Sequence, residues 1–226
     1  MADLIVRPAS VSDIGSIGRV HRAAFRFFFL TQLGPAFLRE YYRTVLEYPR
    51  GILLVAAQDE SVVGFTAGFV DPPEFYSLLR KKRVRLGLVM LPWLIIHPGN
   101  LVRALSNYRL TRENSREADP TLAQVAEWSS LGVRPNSPAL AAAMLIAAFK
   151  RVARESGASK IRLTTDAAGN AAINRTYVRA GYTLVRVIRR PYGRILNEYE
   201  LDLGSVGSEA VTSRYLPERM DNHVEE

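Results

Sequence analysis

The stretch from Ala126 to Tyr182 carries the residue types and spacings best suited to chemistry. Ala126 to Val133 can pair as a strand. The five residues Arg134-Pro135-Asn136-Ser137-Pro138 must then turn, because a proline drives the residue before it towards extended geometry. Pro138 suits the first turn of a helix, where its missing N–H is no loss, and Ser137 suits the cap before it. An Ala-, Leu- and Met-rich run predicts a helix as far as about Ser156-Gly157. A strand from Lys160 to Thr165, a helix from about Ala171 to Ala180 and a strand from Tyr182 complete a crossover unit. The first helix of such a unit points unpaired amides, with their partial positive charge, past the end of its strand. Those are the requirements of a phosphate site.

The totals exclude several other chemistries. The chain has 226 residues and is 48% hydrophobic, enough for one sizeable domain with an extension. It has no cysteine, so neither a disulfide framework nor a thiol nucleophile is available. His21, His97 and His223 are too scattered for a metal site, and none is expected. The N-terminus lacks the basic start and apolar run of a signal peptide, and no run reaches the length of a spanning helix. A cytoplasmic location is therefore expected.

The elements that must position the turn read in order. Leu4 to Pro8 is a short strand. Ser10 or Ser12 can cap a helix with Asp13 in its first turn, and Ile14, Ile17, Val20, Ala24 and Phe25 follow at helical spacing. The aromatic cluster Phe25-Arg26-Phe27-Phe28-Phe29 packs as core, or one or two of its rings line a pocket. Pro35 to Glu47 predicts a second helix with Phe37, Leu38, Tyr41, Tyr42 and Val45 inward. Gly51 to Ala57 and Ser61 to Val70 read as a hairpin across Gln58-Asp59-Glu60. The sheet resumes from Ala123 to Val133, and its last strands run from Tyr182 to Arg190 and from Arg194 to Leu203. The domain is expected over residues 1–203, with a mobile polar tail over 204–226.

Taken together, Val133-Arg134-Pro135, Asn170, Asn174, Tyr177 and Gly181-Tyr182 resemble the core motifs of the GNAT superfamily of acetyl-CoA-dependent N-acetyltransferases. In that family a Val-x-Pro strand end leads to Arg/Gln-x-x-Gly-x-Gly/Ala at a helix start. A later helix carries Tyr four residues before Gly-Phe/Tyr. Pro138 and Ala141 depart from this pattern, while Ala143 keeps it, so the phosphate turn is atypical. The resemblance implies an α/β fold with a mixed, twisted sheet of six to seven strands and flanking helices. It also implies direct acetyl transfer from acetyl-CoA to a primary amine, with no metal. The cofactor would be held by Leu131, Gly132 and Val133 on the strand, by the amides of Ala139, Leu140, Ala141, Ala142 and Ala143, and by Asn170, Asn174 and Tyr177. Tyr177 would protonate the leaving thiolate, and Glu127 would take the amine's proton directly or through water. The plain structural readings are a buried tyrosine, a strand-end carboxylate making a structural hydrogen bond, and a helix cap at Asn170. The Ala141 methyl would stand where glycine lets a phosphate approach.

From residue 71 to 119 the chain leaves that plan with a helical insertion, predicted as helices from Glu74 to Leu91 and from Pro98 to Arg109. Between Arg80 and Arg116 nine basic residues face Glu113 alone, which accounts for the chain's whole excess of +8. The apolar run Leu86 to Ile96, with Pro92 inside it, is too short to cross a bilayer. Burial on the domain or in a homodimer, and a peripheral contact with the inner face of a membrane, both stay open for residues 80–116. Nucleic acid is not expected, since no binding module accompanies the charge. The expected acceptor is a small-molecule amine, with a protein N-terminus also open. Likeness of the Phe-rich segment and the insertion to enzymes of cell-surface polysaccharide synthesis implies an amino sugar. The alternative is a catalytically silent acyl-CoA-binding or membrane-associated protein of the same fold.

Overall fold

The computed structural model describes residues 3–26, 28–96, 120–135, 137–190 and 193–204. Seven strands form one sheet in the order β1-β2-β3-β4-β5-β7-β6: β1 Leu4–Pro8, β2 Gly51–Gln58, β3 Ser61–Val70, β4 Val125–Val133, β5 Lys160–Asp166, β6 Thr183–Arg189 and β7 Ile195–Asp202. Every pairing is antiparallel except β4 with β5. The helices are α1 Ile14–Ala24, α2 Phe29–Gln32, α3 Pro35–Glu47, α4 Pro72–Lys81, α5 Arg83–Ile96, α6 Ala139–Glu155 and α7 Ala171–Arg179. This is the mixed sheet with flanking helices that the sequence predicts.

Two apolar layers hold the sheet. On one face Ile14, Ile17 and Val20 of α1 and Phe37, Leu38, Tyr41, Tyr42 and Val45 of α3 pack on Leu53, Val55, Phe65, Ala67 and Phe69. On the other, Ala141, Leu145, Ala148, Phe149 and Ala153 of α6 pack on Ile52, Leu54, Ala126, Trp128 and Ile161. The alternation of side chains along a strand makes both layers from the same residues' neighbours. The β2–β3 hairpin closes on Asp59 and Glu60, whose φ angles of 47° and 63° supply the left-handed pair that a two-residue hairpin turn needs. At the first helix Arg7 grips the Asp13 carboxylate at 2.7 and 2.9 Å, and the Ser10 amide donates to the same carboxylate.

The insertion departs from its predicted form. In place of one helix from Glu74 to Leu91, the chain makes α4 and α5 with a break at Lys82. The Asp71 side chain accepts from the Glu74 amide and so starts α4 two residues earlier. Lys82 turns back onto α3, its ammonium on Glu47 and Thr44. The break lets α4 stack Phe75 on Phe69 of β3, with ring centroids 3.7 Å apart, while α5 lies on α3 through Leu86 and Met90. The predicted helix from Pro98 to Arg109 and the tail beyond Gly204 lie outside the described residues.

Candidate active site

The site begins where two strands stop pairing. β4 and β5 match from Val125–Lys160 to Trp128–Leu163 and no further. At that point the register of β4 against β3 shifts: Ala67 faces Ser130 and Gly68 faces Trp128, so Ser129 is the extra residue of a bulge. Hydroxyls stitch the bulge together, with Ser129 donating to the Ala67 carbonyl and Thr66 donating to the Ser130 carbonyl. The bulge inverts the alternation of β4. Trp128 and Leu131 join the α6 layer, while Ser130 meets Tyr42 on the α1 and α3 side.

Beyond the bulge β4 pairs with β3 alone. The Arg134 amide donates to Val63, which fixes the phase of the antiparallel ladder. Leu131 and Val133 therefore turn their N–H and C=O groups away from β3, into the gap that β5 has left. Gly132 points its backbone groups towards β3 by the same alternation, and its Cα is closely packed. A Cβ there would stand 3.0 Å from Phe65 and 3.1 Å from Phe25.

A cleft of about 400 Å³ runs through this gap. Trp128, Asn170, Ile173 and Tyr177 wall it on the α6 and α7 side, and His21, Ala24, Phe25 and Phe28 on the α1 side. Leu131 and Ser129 of β4 and Thr164 and Thr165 of β5 form its rims, and Arg194 closes it near Phe28, its guanidinium 5.5 Å from the ring centre.

Helix α6 starts beside β4's end, with two corrections to the sequence expectation. Pro138 precedes the helix as its cap residue, and Ser137 donates to the Val63 carbonyl and does not cap. The proline's extended ψ of 132° turns the chain onto the helix axis. Among the predicted donors, the Ala141 amide is already taken by the Pro138 carbonyl at 2.9 Å. Ala139 and Leu140 have no earlier helical carbonyl to serve. Both are exposed, as is Ala143, while Ala142 is half-buried. The Ala141 methyl, expected to crowd a phosphate, is fully buried against the core and faces away from the turn.

Tyr177 lies in the cleft wall, edge-on to Trp128 at 6.2 Å and packed by Tyr182 and Tyr199. Burial pushes its phenol pKa up, and its hydroxyl has no hydrogen-bond partner among the described residues. Trp128 is itself fixed by stacking on Phe149 and by donating to Thr66 at 2.7 Å. The two asparagines behave differently from expectation. Asn170 holds the cap position of α7, but its side chain makes no capping bond; its amide donates to Thr165 at 2.8 Å, within the cleft wall. Asn174 stands outside that wall, and its amide is used up. It donates to the Asp166 and Asn170 carbonyls and accepts from Tyr199 and Asn197, so it braces α7 on the sheet.

Glu127 lies two residues before the bulge and on the α4 side of the sheet, outside the lining of this cleft. The Tyr76 hydroxyl donates to its carboxylate. Burial drives its pKa up, opposed by the Tyr76 hydrogen bond and by Arg162, and the Glu198 carboxylate adds to the rise. The Tyr76 phenol is pushed up in turn, first by burial and then by the Glu127 charge.

His21 is a cleft residue that the sequence reading weighed only as a metal ligand. It is 2% exposed, and its Nδ1 is 2.6 Å from the Tyr42 hydroxyl. Its Nε2 has no partner, and burial lowers its pKa to about 4. Its position four residues from both Ile17 and Phe25, on the apolar stripe, was the available signal. Among the described residues no cluster of metal-ligating side chains occurs.

No protein-family model matches the chain, and no curated protein matches it by sequence. Solved structures do match it in fold. A Desulfovibrio desulfuricans protein assigned to the GNAT family of acetyltransferases is 15% identical, covers 89% of this chain and 100% of its own, and superposes with a TM-score of 0.59. The ribosomal-protein-S18-alanine N-acetyltransferase of Escherichia coli is 11% identical over 93% of this chain and 100% of its own, with a TM-score of 0.57. The yncA protein of Salmonella typhimurium, solved with its cofactor acetyl-CoA, is 13% identical over 92% of this chain and 99% of its own, with a TM-score of 0.58. The chain thus has the fold of the GNAT acetyltransferases.

Proposed function

We propose that this protein is an N-acetyltransferase that moves an acetyl group from acetyl-CoA directly to a primary amine. One observation carries the reading. The β4–β5 gap opens a cleft that is lined by Leu131 and Tyr177, and along the same freed edge of β4 the backbone of Leu131 and Val133 is left unpaired as the strand runs towards the start of α6. A pantetheine arm is an extended amide chain, and a strand edge freed by a departing neighbour is its natural partner. The exposed amides of Ala139 and Leu140, with the α6 dipole behind them, suit the anionic diphosphate. Neither contact needs the glycine or the arginine that the turn lacks. The yncA protein, of the same fold, is solved with acetyl-CoA, which further supports the reading.

The chemistry follows from charge. The amine nitrogen attacks the thioester carbonyl and a C–N bond forms, leaving negative charge on the carbonyl oxygen. An N–H from the free edge of β4 stabilises that oxygen. The C–S bond then breaks, and the Tyr177 hydroxyl gives its proton to the departing sulfur. The proton shed by the amine goes to Glu127, whose buried carboxylate accepts from Tyr76 and lies outside the cleft lining, so the transfer runs through water. The acceptor approaches from the α1 side, where Phe25 and Phe28 offer aromatic faces. Such faces suit an amine carried on a group with an apolar side, as in an amino sugar.

The test is CoA release with a panel of amines (amino sugars, peptides with free N-termini, polyamines), alongside calorimetry with acetyl-CoA. Turnover with one class identifies the acceptor. Acetyl-CoA binding without turnover across the panel points to a catalytically silent binder, and absence of both overturns the proposal.

A further inference from the structure

Helix α5 is apolar around almost its whole circumference, with Arg83 and Arg85 its only charges. One side is accounted for. Leu86 and Leu94 are buried, Met90 packs on the α1 and α3 layer, and the Trp93 indole donates to the Gln32 carbonyl beside Gly34. The opposite side is bare. Val84, Leu88, Leu91 and Ile95 are 68%, 65%, 52% and 71% exposed. Steps of four, three and four residues put all four on one line along the helix, about 16 Å long. An uncovered stripe of this kind on a soluble surface marks a contact.

The cations around it sort by side. Lys82 and Arg85 are paired with Glu47 and Glu40 of α3. Arg80, Lys81 and Arg83 are exposed and have no ion-pair partner among the described residues. The free charges thus lie at the N-terminal end of the bare stripe. An apolar line with unpaired cations at its end matches the boundary of an anionic bilayer, acyl chains for the leucines and phosphates for the cations. No helix among the described residues is long and apolar enough to cross a membrane. An interfacial helix ordinarily keeps a polar face to water. Here the domain itself covers the far side of α5, so no such face is needed.

We propose that α5 is a docking element for anionic membrane surfaces, with the line from Val84 to Ile95 immersed at the headgroup boundary and Arg80, Lys81 and Arg83 on lipid phosphates. This stands independently of the acetyl-transfer reading. The test is co-sedimentation of the full chain with sucrose-loaded vesicles of phosphatidylcholine, alone or with one-third phosphatidylglycerol. Binding is expected to the anionic vesicles and to weaken with salt. The double substitution Leu88→Glu, Leu91→Glu should lower partitioning more than about tenfold. Arg80→Gln, Lys81→Gln and Arg83→Gln should each lower it about fivefold, on anionic vesicles only. Thermal melting of the variants, unchanged on this exposed face, shows that they remain folded. Failure of the wild-type chain to sediment with anionic vesicles overturns the proposal. So does a dimer in sedimentation velocity that Leu88→Glu dissociates, since a second copy would then cover the stripe.

Discussion

A buried phenol with a raised pKa stays protonated through neutral and mildly alkaline pH, and that is what a donor to a thiolate must do. Tyr177 meets the requirement in the cleft wall, its hydroxyl unclaimed among the described residues. Tyr177→Phe is therefore expected to lower kcat by about a hundredfold or more while leaving acetyl-CoA affinity within about twofold. Steady-state kinetics with parallel calorimetry read both, and an unchanged kcat would show that this hydroxyl is not the acid. For Glu127, the proposed base, the sign is opposite. As a base it works only when ionised, and burial has raised its pKa, so the rate should climb with pH until that group titrates. Glu127→Gln should erase this acidic limb from the pH–rate profile; an unchanged limb would remove Glu127 from the chemistry. His21 is read through stability. Its folded pKa of about 4 lies below the unfolded 6.5, so the unfolded chain binds the proton first. Stability present above pH 6.5 is lost as pH falls towards 4, by up to about 3 kcal/mol. Glu127 shifts upward and opposes this, so melting from pH 7 to 4 is compared with His21→Gln, which should flatten the histidine's share of the slope.

At the scale of elements, the position of α5 depends on one glycine. Gly34 has φ of 93°, and a Cβ there would stand 2.6 Å from Trp93 Cγ. Backbone strain and overpacking add, so Gly34→Ala should destabilise the fold by about 2 kcal/mol and loosen α5 from the loop before α3. Urea denaturation measures the loss, and an unchanged midpoint would show that Trp93 does not hold α5 there. The α6 start follows the same logic of neighbours. Ser137 was the expected cap, but Pro138 takes the cap position and the Ser137 hydroxyl donates to the Val63 carbonyl across the sheet.

For the whole molecule, a ligand that binds only the folded chain raises its melting temperature by mass action. Acetyl-CoA at about a hundred times its Kd should add about 2.7 kcal/mol, or about 5–10 °C for a chain of this size. Differential scanning fluorimetry checks this, and the absence of any shift would remove the cleft as an acetyl-CoA site. The same measurement with CoA separates recognition of the acetyl group from recognition of the nucleotide.

Local pattern in the chain was enough for the order of strands and helices, for the inward stripes of α1 and α3, and for the turn between Val133 and Ala139. These rest on period, proline geometry and capping chemistry, which act between residues a few positions apart. The break at Lys82 was not legible, because its cause is Glu47 and Thr44 on another helix. Nor were the bulge at Ser129, the engagement of Asn174 by Tyr199 and Asn197, or the orphan Nε2 of His21. Each depends on a partner at least twenty residues away in sequence, and a pairing of that kind is set by how the sheet and its two layers close. The motif could say which strand ends a cleft; only the phase of β4 on β3 and its separation from β5 decided that the backbone of Leu131 and Val133 points, unpaired, into the gap.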